Sequence, residues 1–312
     1  MDSIIAEIPA ACANEDIAVE FMEKQRWGDN PACAHCGSDE VYKMKSRDGG
    51  RNRLYRWRCR SCKKQYTVRH STVFQDSPIP LHVWCYAFWR ACSSKKGISA
   101  LQIKRETGLS YKSALFMMHR IRHAMGDTDD RPLEGVVEAD ETFVGGRPRT
   151  RGPKYGVGSR KHVRPKTPVM VMLERNGSAR SLVLPSVTSE SLRSAIREHV
   201  RRDAILVTDE CQAYKRVGKE QTRGHYRVNH TAREYARGDI YTNTAESYFA
   251  ILKRGINGTF HAVSKKHLHR YVDEFSFRWN TRKDTDGART VKAIRAAVGK
   301  RLMYREPGGS SE

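Results

Sequence analysis

Two pairs of cysteines constrain this chain more than any other feature of its sequence. The pairs are Cys33-Ala-His-Cys36 and Cys59-Arg-Ser-Cys62, and 22 residues separate them. Each pair can present two thiolates from one tight turn, and two such turns close a tetrahedral four-sulfur site that suits Zn²⁺. Because the protein fills all four positions, the sequence predicts a structural zinc ion and not a catalytic one. The alternative is a pair of redox-active dithiols.

The residues between the two cysteine pairs predict a β-hairpin. Two short strand-like runs, 41–45 and 53–59, flank Asp48-Gly49-Gly50, and an Asp-Gly step favours a tight hairpin turn. His35 lies inside the first pair but is expected to be a bystander, since four sulfurs already complete the site. Basic side chains crowd the hairpin, with Tyr55 and Trp57 between them: Arg51, Arg53, Arg56, Arg58, Arg60, Lys63 and Lys64. This pattern favours a DNA-reading module over a solvated charged face or a platform for protein contacts.

The charge balance of the whole chain indicates a polyanionic partner. There are 57 Lys and Arg residues against 35 Asp and Glu residues, a net charge of +22. Nucleic acid is favoured because neutralised phosphates release their condensed counterions; the alternative is a ribosome-associated or merely basic soluble protein. No apolar run approaches the roughly 20 residues that cross a bilayer, and the first residues do not resemble a secretory signal. We therefore expect a cytoplasmic protein, nucleoid-associated when bound to DNA, in a reducing compartment where paired cysteines bind metal.

The segment 99–125 has the pattern of a helix-turn-helix. A first helix is predicted to end near Thr107, followed by a turn at Gly108-Leu109-Ser110, where Ser110 is a good N-cap for a second helix. The predicted core face of the second helix consists of Ala114, Met118, Ile121 and Met125. Its other faces carry Lys112, His119, Arg120 and Arg122. The second helix is expected to enter the major groove of DNA, although an ordinary helical hairpin has the same turn.

Three carboxylates lie where strands and a helix can bring them together. Period-two alternation places Glu138, Asp140 and Thr142 on one face of a strand, and Asp209 ends a buried apolar run. Glu246 lies on a helical segment and shares a face with Lys253, seven residues later. Such acids can converge on two divalent cations roughly 3.5–4 Å apart, and Mg²⁺ prefers oxygen ligands.

Each of these acids also has a simpler explanation. Glu246 lies three residues after Asn243 and can complete a helix capping box. The neighbouring acids Glu138, Glu141 and Glu210 are expected to be solvated or salt-bridged. Taken alone, any one of these acids is structural more often than catalytic. The prediction of a metal site rests on the combination of two acids on strands with one on a helix. The apolar stripe predicted for the same helical segment consists of Ala245, Tyr248, Phe249 and Leu252.

Residues 133–290 resemble the catalytic domain of bacterial insertion-sequence transposases of the Merlin-like group, with an ISXO-type transposase domain behind a zinc ribbon. The resemblance is carried by VVEADETFVGG, by TDECQAY and above all by the 40 residues 243–282. It implies a ribonuclease H-like fold, a mixed sheet flanked by helices. It also implies that Asp140, Asp209 and Glu246 bind Mg²⁺ or Mn²⁺, and that Lys253 is the basic residue after the third acid. The implied activity is transposition, through cleavage and strand transfer at the terminal inverted repeats of an insertion sequence.

The predicted architecture is α+β/α, in five segments. They are an N-terminal helical segment (1–30), a zinc ribbon (31–75), a helix-turn-helix-like DNA-binding module (80–126), a ribonuclease H-like DDE catalytic domain (133–300) and a disordered tail (301–312). The expected partners are double-stranded DNA, at element ends and target, and further copies of the chain as a homo-oligomer in the DNA complex.

Two further features complete the prediction. The segment 147–166 carries eight Lys or Arg residues and no acid, and it predicts a flexible basic loop or hairpin over bound DNA. The alternative is a disordered solvated loop, and both can hold if order is gained on binding. In the last helix of the segment that resembles these transposases, one face is predicted to pack in the core: Leu268, Tyr271, Val272, Phe275 and Trp279. Two rival functions remain, a catalytically idle zinc-ribbon DNA-binding protein derived from a transposase, and a nuclease of the same fold.

Overall fold

The computed structural model describes residues 3–126, 131–145, 166–209, 211–228 and 243–304. The helices, in chain order, are α1 Ser3–Ala13, α2 Glu15–Trp27, α3 Leu81–Ser93, α4 Ala100–Thr107, α5 Tyr111–Met125, α6 Ser189–His199, α7 Lys215–Gly218, α8 Asn243–Gly255, α9 Leu268–Asn280 and α10 Asp286–Arg295. The strands are β1 Val41–Lys43, β2 Trp57–Cys59, β3 Gln65–Tyr66, β4 Val136–Val144, β5 Thr167–Glu174, β6 Ala179–Val183, β7 Ile205–Thr208 and β8 His225–Arg227. One unit consists of the described residues up to Gly126 together with those from Lys283 onward, and a second unit consists of the described residues between them.

The cysteine-rich part of the first unit is a small antiparallel sheet in the order β1-β2-β3. Val41 pairs with Cys59, so β1 and β2 form the predicted hairpin. In the turn, the Asp48 carboxylate accepts a hydrogen bond of 3.0 Å from the Gly50 N–H, and Gly49 has a φ of +80°. A side chain at Gly49 would be strained in this left-handed conformation, which explains the Asp-Gly-Gly sequence.

The helix pair α4 and α5 has the predicted turn. α4 ends at Thr107, and Gly108 follows it in the left-handed conformation. The Ser110 hydroxyl caps α5 by accepting a hydrogen bond of 3.1 Å from the Ser113 N–H. The four predicted core residues of α5 are all buried: Ala114, Met118, Ile121 and Met125.

The boundary at the carboxyl side differs from the prediction of one catalytic domain over 133–300. α10 belongs to the first unit, where it packs against α3, and the Arg289 guanidinium donates a hydrogen bond of 2.9 Å to the Cys92 carbonyl. Residues 301–304, predicted as part of a disordered tail, are also in contact with the first unit. The Tyr304 ring lies edge-on to that of Phe116 on α5, with 5.5 Å between the ring centroids. An apolar stripe reveals that a helix is buried but not which partner covers it, so sequence pattern did not separate α10 from its neighbour in the chain.

The second unit is built on a mixed five-stranded sheet in the order β6-β5-β4-β7-β8. β4 is antiparallel to β5 and parallel to β7, and it therefore lies at the centre of the sheet. α6 covers one face through Leu192 and Ile196, and α8 and α9 cover the other face. A mixed sheet with helices on both faces is the architecture expected of a ribonuclease H-like domain.

The apolar stripes predicted for α8 and α9 are confirmed. Ala245, Tyr248, Phe249 and Leu252 of α8 are buried, as are Leu268, Tyr271, Val272 and Phe275 of α9, and Trp279 packs against the same core. The predicted basic loop at 147–166 and the acid Glu210 lie outside the described residues, except that Lys166 is described. In the part of the chain that the structure describes, no helix is both long and apolar enough to cross a membrane.

Candidate active site and DNA-binding surfaces

Asp140 and Asp209 come together because β4 and β7 run side by side. Ala139 of β4 pairs with Thr208, the last residue of β7, in parallel register. Asp140 and Asp209 are the next residue on each chain, and both side chains are half-buried. The Asp140 Oδ1 accepts a hydrogen bond of 2.7 Å from the Glu141 N–H, and the Asp209 Oδ1 accepts one of 3.0 Å from the Cys211 N–H. The predicted meeting of these two acids at the end of a buried strand is present in the structure.

Glu141, predicted to be a solvated or salt-bridged neighbour, instead contributes a third carboxylate to this cluster. One oxygen each from Asp140, Glu141 and Asp209 lie within 4.8 Å of one another. The buried Tyr214 hydroxyl donates a hydrogen bond to Glu141. Burial, together with the charges of Asp209 and Asp140, raises the pKa of Glu141 to about 7, although the hydrogen bond from Tyr214 acts in the opposite direction. Three carboxylate oxygens this close could hold a hard divalent cation, which prefers such ligands.

Glu246 lies in the first turn of α8, and its side chain is exposed. It does not belong to the described group of oxygens within 4.8 Å, which consists of Asp140, Glu141 and Asp209. Lys253 lies in the last turn of the same helix and is also exposed. Seven residues correspond to about two helical turns, so Glu246 and Lys253 face the same side of α8.

Glu138 is fully buried and touches α8 directly. Its Oε2 accepts hydrogen bonds from the backbone N–H groups of Thr244, at 3.1 Å, and Ala245, at 3.3 Å. Its Oε1 accepts from the Thr244 hydroxyl at 3.0 Å and from the Arg175 Nε at 3.1 Å. The prediction that Glu138 is salt-bridged is confirmed, but the sequence carried no signal for its contacts with α8, since alternation identifies a face and not a partner.

The four cysteines of the first unit converge as a metal site requires. All four Sγ atoms lie within 4.8 Å of one another, with 3.6 Å between Cys33 and Cys62 and 3.7 Å between Cys36 and Cys59. These distances are far longer than a disulfide bond of about 2.05 Å. They are close to the roughly 3.8 Å edge of a tetrahedron with Zn–S bonds of about 2.3 Å. The cluster therefore fits a structural Zn²⁺.

Local hydrogen bonds shift the pKa values of two of these thiols in opposite directions. A backbone hydrogen bond from Ser38 acts to lower the pKa of Cys36, but burial and hydrogen bonds with the other three thiols raise it to about 11. The hydrogen bond from the Cys62 N–H, helped by other donors nearby, lowers the pKa of the Cys59 thiol to about 6. A metal ligand must be a thiolate, so this shift favours the binding form at neutral pH. His35 is not part of the cluster, and its Nε2 lies 3.3 Å from the Gln65 carbonyl oxygen.

The ribbon surface is basic, but its aromatic residues have structural roles. Trp57 is buried, and its indole N–H donates a hydrogen bond of 2.7 Å to Glu23 of α2, which also pairs with Arg51. Tyr55 donates a hydrogen bond of 2.7 Å from its hydroxyl to Asp16. Of the two aromatic residues predicted to lie among the basic side chains, Trp57 is therefore buried and Tyr55 is half-buried. Five of the seven basic residues predicted there are exposed: Arg53, Arg56, Arg60, Lys63 and Lys64.

The second helix of the helix pair exposes little besides its first turn. Tyr111 and Lys112 are exposed, whereas the other polar residues predicted to lie outside the core face are buried: His119, Arg120 and Arg122. Arg120 donates hydrogen bonds to the backbone carbonyls of Val73 and Gln75, both at 3.0 Å. In a helix-turn-helix the N-terminal residues of the second helix contact base edges, and in α5 these are the residues that remain accessible.

Comparison with known proteins identifies two family models in this chain. The model described as ISXO2-like transposase domain matches residues 132–280, and the model described as transposase zinc-ribbon domain matches residues 13–65. A Halobacterium salinarum relative, described as an uncharacterized protein in transposable element ISH50, is 26% identical over 274 residues, which are 85% of this chain and 90% of the relative. A Haemophilus influenzae relative, described as an uncharacterized transposase-like protein, is 30% identical over 100 residues, which are 32% of this chain and 79% of the relative.

Two solved structures show a weak likeness. The crystal structure of the Mos1 strand transfer complex has a TM-score of 0.29 at 13% identity, covering 62% of this chain and 69% of that one. A pre-cleavage Mos1 transpososome has a TM-score of 0.25 at 12% identity, covering 65% and 75%.

Proposed function

This chain belongs to the family of transposases that have a zinc ribbon and an ISXO2-like transposase domain, and we propose that it cuts and rejoins DNA at the ends of an insertion sequence. The N-terminal unit binds the terminal inverted repeats. The second unit hydrolyses a phosphodiester at the element end and then uses the freed 3′ hydroxyl to attack target DNA. The enzyme works in the cytoplasm, at the nucleoid, as a homo-oligomer assembled on the DNA.

This proposal rests on the proximity of Asp140 and Asp209, which lie side by side on neighbouring parallel strands. Together with Glu141 they place three carboxylate oxygens within 4.8 Å of one another, a donor set that fits Mg²⁺ or Mn²⁺. When bound, such cations activate the attacking oxygen and stabilise the leaving oxygen of the phosphodiester. We propose that Glu246, on the first turn of α8, supplies the third family carboxylate. No side chain becomes covalently joined to the DNA, so no Ser or Tyr nucleophile is assigned.

The basic surfaces of the first unit support DNA binding there. The exposed Arg and Lys residues of the ribbon can neutralise phosphates, which positions a protein on DNA without reading sequence. Tyr111 and Lys112 lie where a helix-turn-helix contacts base edges. We therefore assign phosphate contacts to the ribbon and base contacts to the start of α5.

A strand-transfer assay with labelled element ends and a separate target tests the proposed function. The expected products are cleaved ends in the presence of Mg²⁺ or Mn²⁺, followed by joined end–target molecules. End binding without cleavage would identify an idle DNA-binding protein. Cleavage without joining would identify a nuclease of the same fold.

Lys253 is expected to position DNA beside the carboxylates. Replacing it by Ala (Lys253→Ala) should slow cleavage at saturating DNA by on the order of 100-fold, because small misplacements of reacting groups are costly. Zinc content and the melting temperature should not change, because the side chain is exposed. The measurement is single-turnover cleavage of a labelled end.

Arg254 provides a matched control one residue away. It is also exposed, but its Nε donates a hydrogen bond of 3.0 Å to the Ala250 carbonyl of its own helix, and its Cα lies about 100° further round α8. Arg254→Ala should cut DNA at nearly the parent rate. Cleavage by Lys253→Ala within about twofold of the parent would leave Lys253 as an ordinary helix-end cation that interacts with the helix dipole.

A further inference from the structure

We propose that Glu138 is a positioning residue that fixes the first turn of α8 against β4 and thereby presents Glu246 to Asp140 and Asp209. This inference rests on the proposed function, because it concerns the arrangement of the proposed metal ligands. Glu138 does not itself touch the acidic cluster in the role assigned here. It acts through the helix that carries the third carboxylate.

Both carboxylate oxygens of Glu138 accept two hydrogen bonds each. Its Oε2 accepts from two backbone N–H groups, those of Thr244 and Ala245, and its Oε1 accepts from the Thr244 hydroxyl and from Arg175. The side chain is 0% exposed. A buried carboxylate is tolerated only when it is paired and hydrogen-bonded, and here four donors between 3.0 and 3.3 Å meet that condition.

A helix N-terminus is a fitting partner for this carboxylate. The first N–H groups of a helix have no partner within the helix, and the aligned peptide dipoles favour negative charge at that end. The described donors at the start of α8 therefore bind an acid that belongs to the central strand of the sheet. The acid that accepts from these N–H groups thus lies outside the helix.

The positions along β4 and α8 connect this cap to the active site. Glu138 and Asp140 are two residues apart on one strand and so face the same side of the sheet, about 6.6 Å apart along the strand. Glu246 follows Ala245, whose N–H donates to Glu138. The Glu138 side chain thus connects two neighbours of the proposed metal ligands: it lies two residues before Asp140 on β4, and it binds the N–H of the residue before Glu246. Loss of this hydrogen bond would displace Glu246 relative to Asp140 and Asp209.

Glutamine at position 138 is the sharpest variant because it preserves shape. In one amide orientation its NH₂ group would face the Thr244 and Ala245 N–H groups, and in the other it would face the Arg175 guanidinium, which also only donates. Because the neutral amide in addition lacks the charge that favours the helix N-terminus, Glu138→Gln should loosen the first turn of α8. In the metal-free full-length chain, the Thr244 and Ala245 amides should exchange hydrogen faster than in the parent.

The same variant should weaken metal binding and slow catalysis. Groups that orient metal ligands typically contribute 10- to 100-fold to metal affinity or activity, so we expect the Mn²⁺ dissociation constant, followed by the Mn²⁺ electron paramagnetic resonance signal, to rise by about 10- to 100-fold. Thr244→Val removes one donor to Glu138 and leaves the backbone contacts, so it should shift the same constant in the same direction by less. This milder variant decides the matter if Glu138→Gln does not fold.

Glu174→Gln is the matched control for a merely structural carboxylate. Glu174 lies on β5 and accepts hydrogen bonds from the backbone N–H groups of Glu134 and Ser178, at 3.1 and 3.2 Å, and pairs with Arg131 at 3.6 Å. None of these described partners lies on α8. It should lower the melting temperature and leave the Mn²⁺ affinity unchanged.

The outcomes separate this inference from the proposed function. A lower melting temperature with unchanged exchange in α8, or with unchanged Mn²⁺ affinity, would show that Glu138 is structural only. A parent chain that binds Mn²⁺ but cuts no DNA counts against the proposed function alone, because the exchange and affinity measurements still test Glu138. A parent chain that binds no Mn²⁺ overturns both.

Discussion

Removing one charge from the carboxylate pair, with Asp140→Asn or Asp209→Asn, is expected to abolish DNA cleavage and joining and leave binding of the element ends almost intact. The amide keeps the shape of the side chain but withdraws an anionic oxygen from a site that brings three carboxylates within 4.8 Å. A hard divalent cation depends on such oxygens, and the cleavage step depends on the cation. The measurement is strand transfer of labelled ends beside a mobility-shift titration of the same ends. Glu246→Gln is expected to give the same result.

Asp203→Asn serves as the control for this prediction. Asp203 belongs to the same unit, is exposed and pairs with Arg201 at 2.8 Å. Surface ion pairs contribute little to stability, about 0–1 kcal/mol, so this variant should cut and join DNA like the parent. Substantial strand transfer by Asp140→Asn or Asp209→Asn would refute the assignment of the pair. Substantial strand transfer by Glu246→Gln would instead reduce Glu246 to a structural residue.

Loss of one thiolate from the ribbon should have the second large effect. Cys36→Ser or Cys62→Ser opens the four-sulfur site, and metal binding and folding are coupled in small zinc modules. The ribbon hairpin should unfold locally, zinc content should fall, and specific end recognition should drop. The sheet of the second unit should remain folded, because its core contains none of these cysteines. Metal analysis of the purified full-length chain and a titration with end DNA measure both effects.

Cys12→Ser provides the comparison, since Cys12 lies on α1 in the same unit and outside the four-cysteine group. It should retain one zinc ion per chain and bind end DNA normally. One equivalent of zinc retained after loss of both Cys36 and Cys62 would contradict the four-cysteine site.

The elements with strong local signals could be predicted from the sequence. Spacing alone located the zinc site, whose four sulfurs are indeed grouped. Periodicity identified the buried stripes of α5, α8 and α9, because each helix needs an apolar face against its core. The strand-ending position of Asp209 and the alternation around Asp140 predicted that two acids could meet, and the register of β4 and β7 brings them side by side.

Long-range partners could not be predicted in this way. Glu141 and Tyr214 are 73 residues apart in the chain, and Glu138 and Thr244 are 106 apart, so no local pattern connects them. Trp57 is of a residue type that can stack on DNA bases, but it is buried and donates a hydrogen bond to Glu23. Arg120 has the charge of a phosphate ligand but holds backbone carbonyls instead. In each case the residue type indicates a chemistry, and only the fold determines its partner.

α10 belongs to the first unit, although it is synthesised after the second unit. The polypeptide leaves the first unit after Gly126 and returns to it at Lys283, so the second unit is an insertion within the first. Val291 and Ile294 of α10 are buried in the first unit, and Arg295 donates a hydrogen bond of 3.1 Å to Gln25 of α2. Domains usually fold in the order of their synthesis, but here the ribosome must complete the inserted unit before the last helix of the first unit emerges. The nascent N-terminal segment therefore keeps an uncovered apolar face during synthesis, and the second unit can finish folding before the first does.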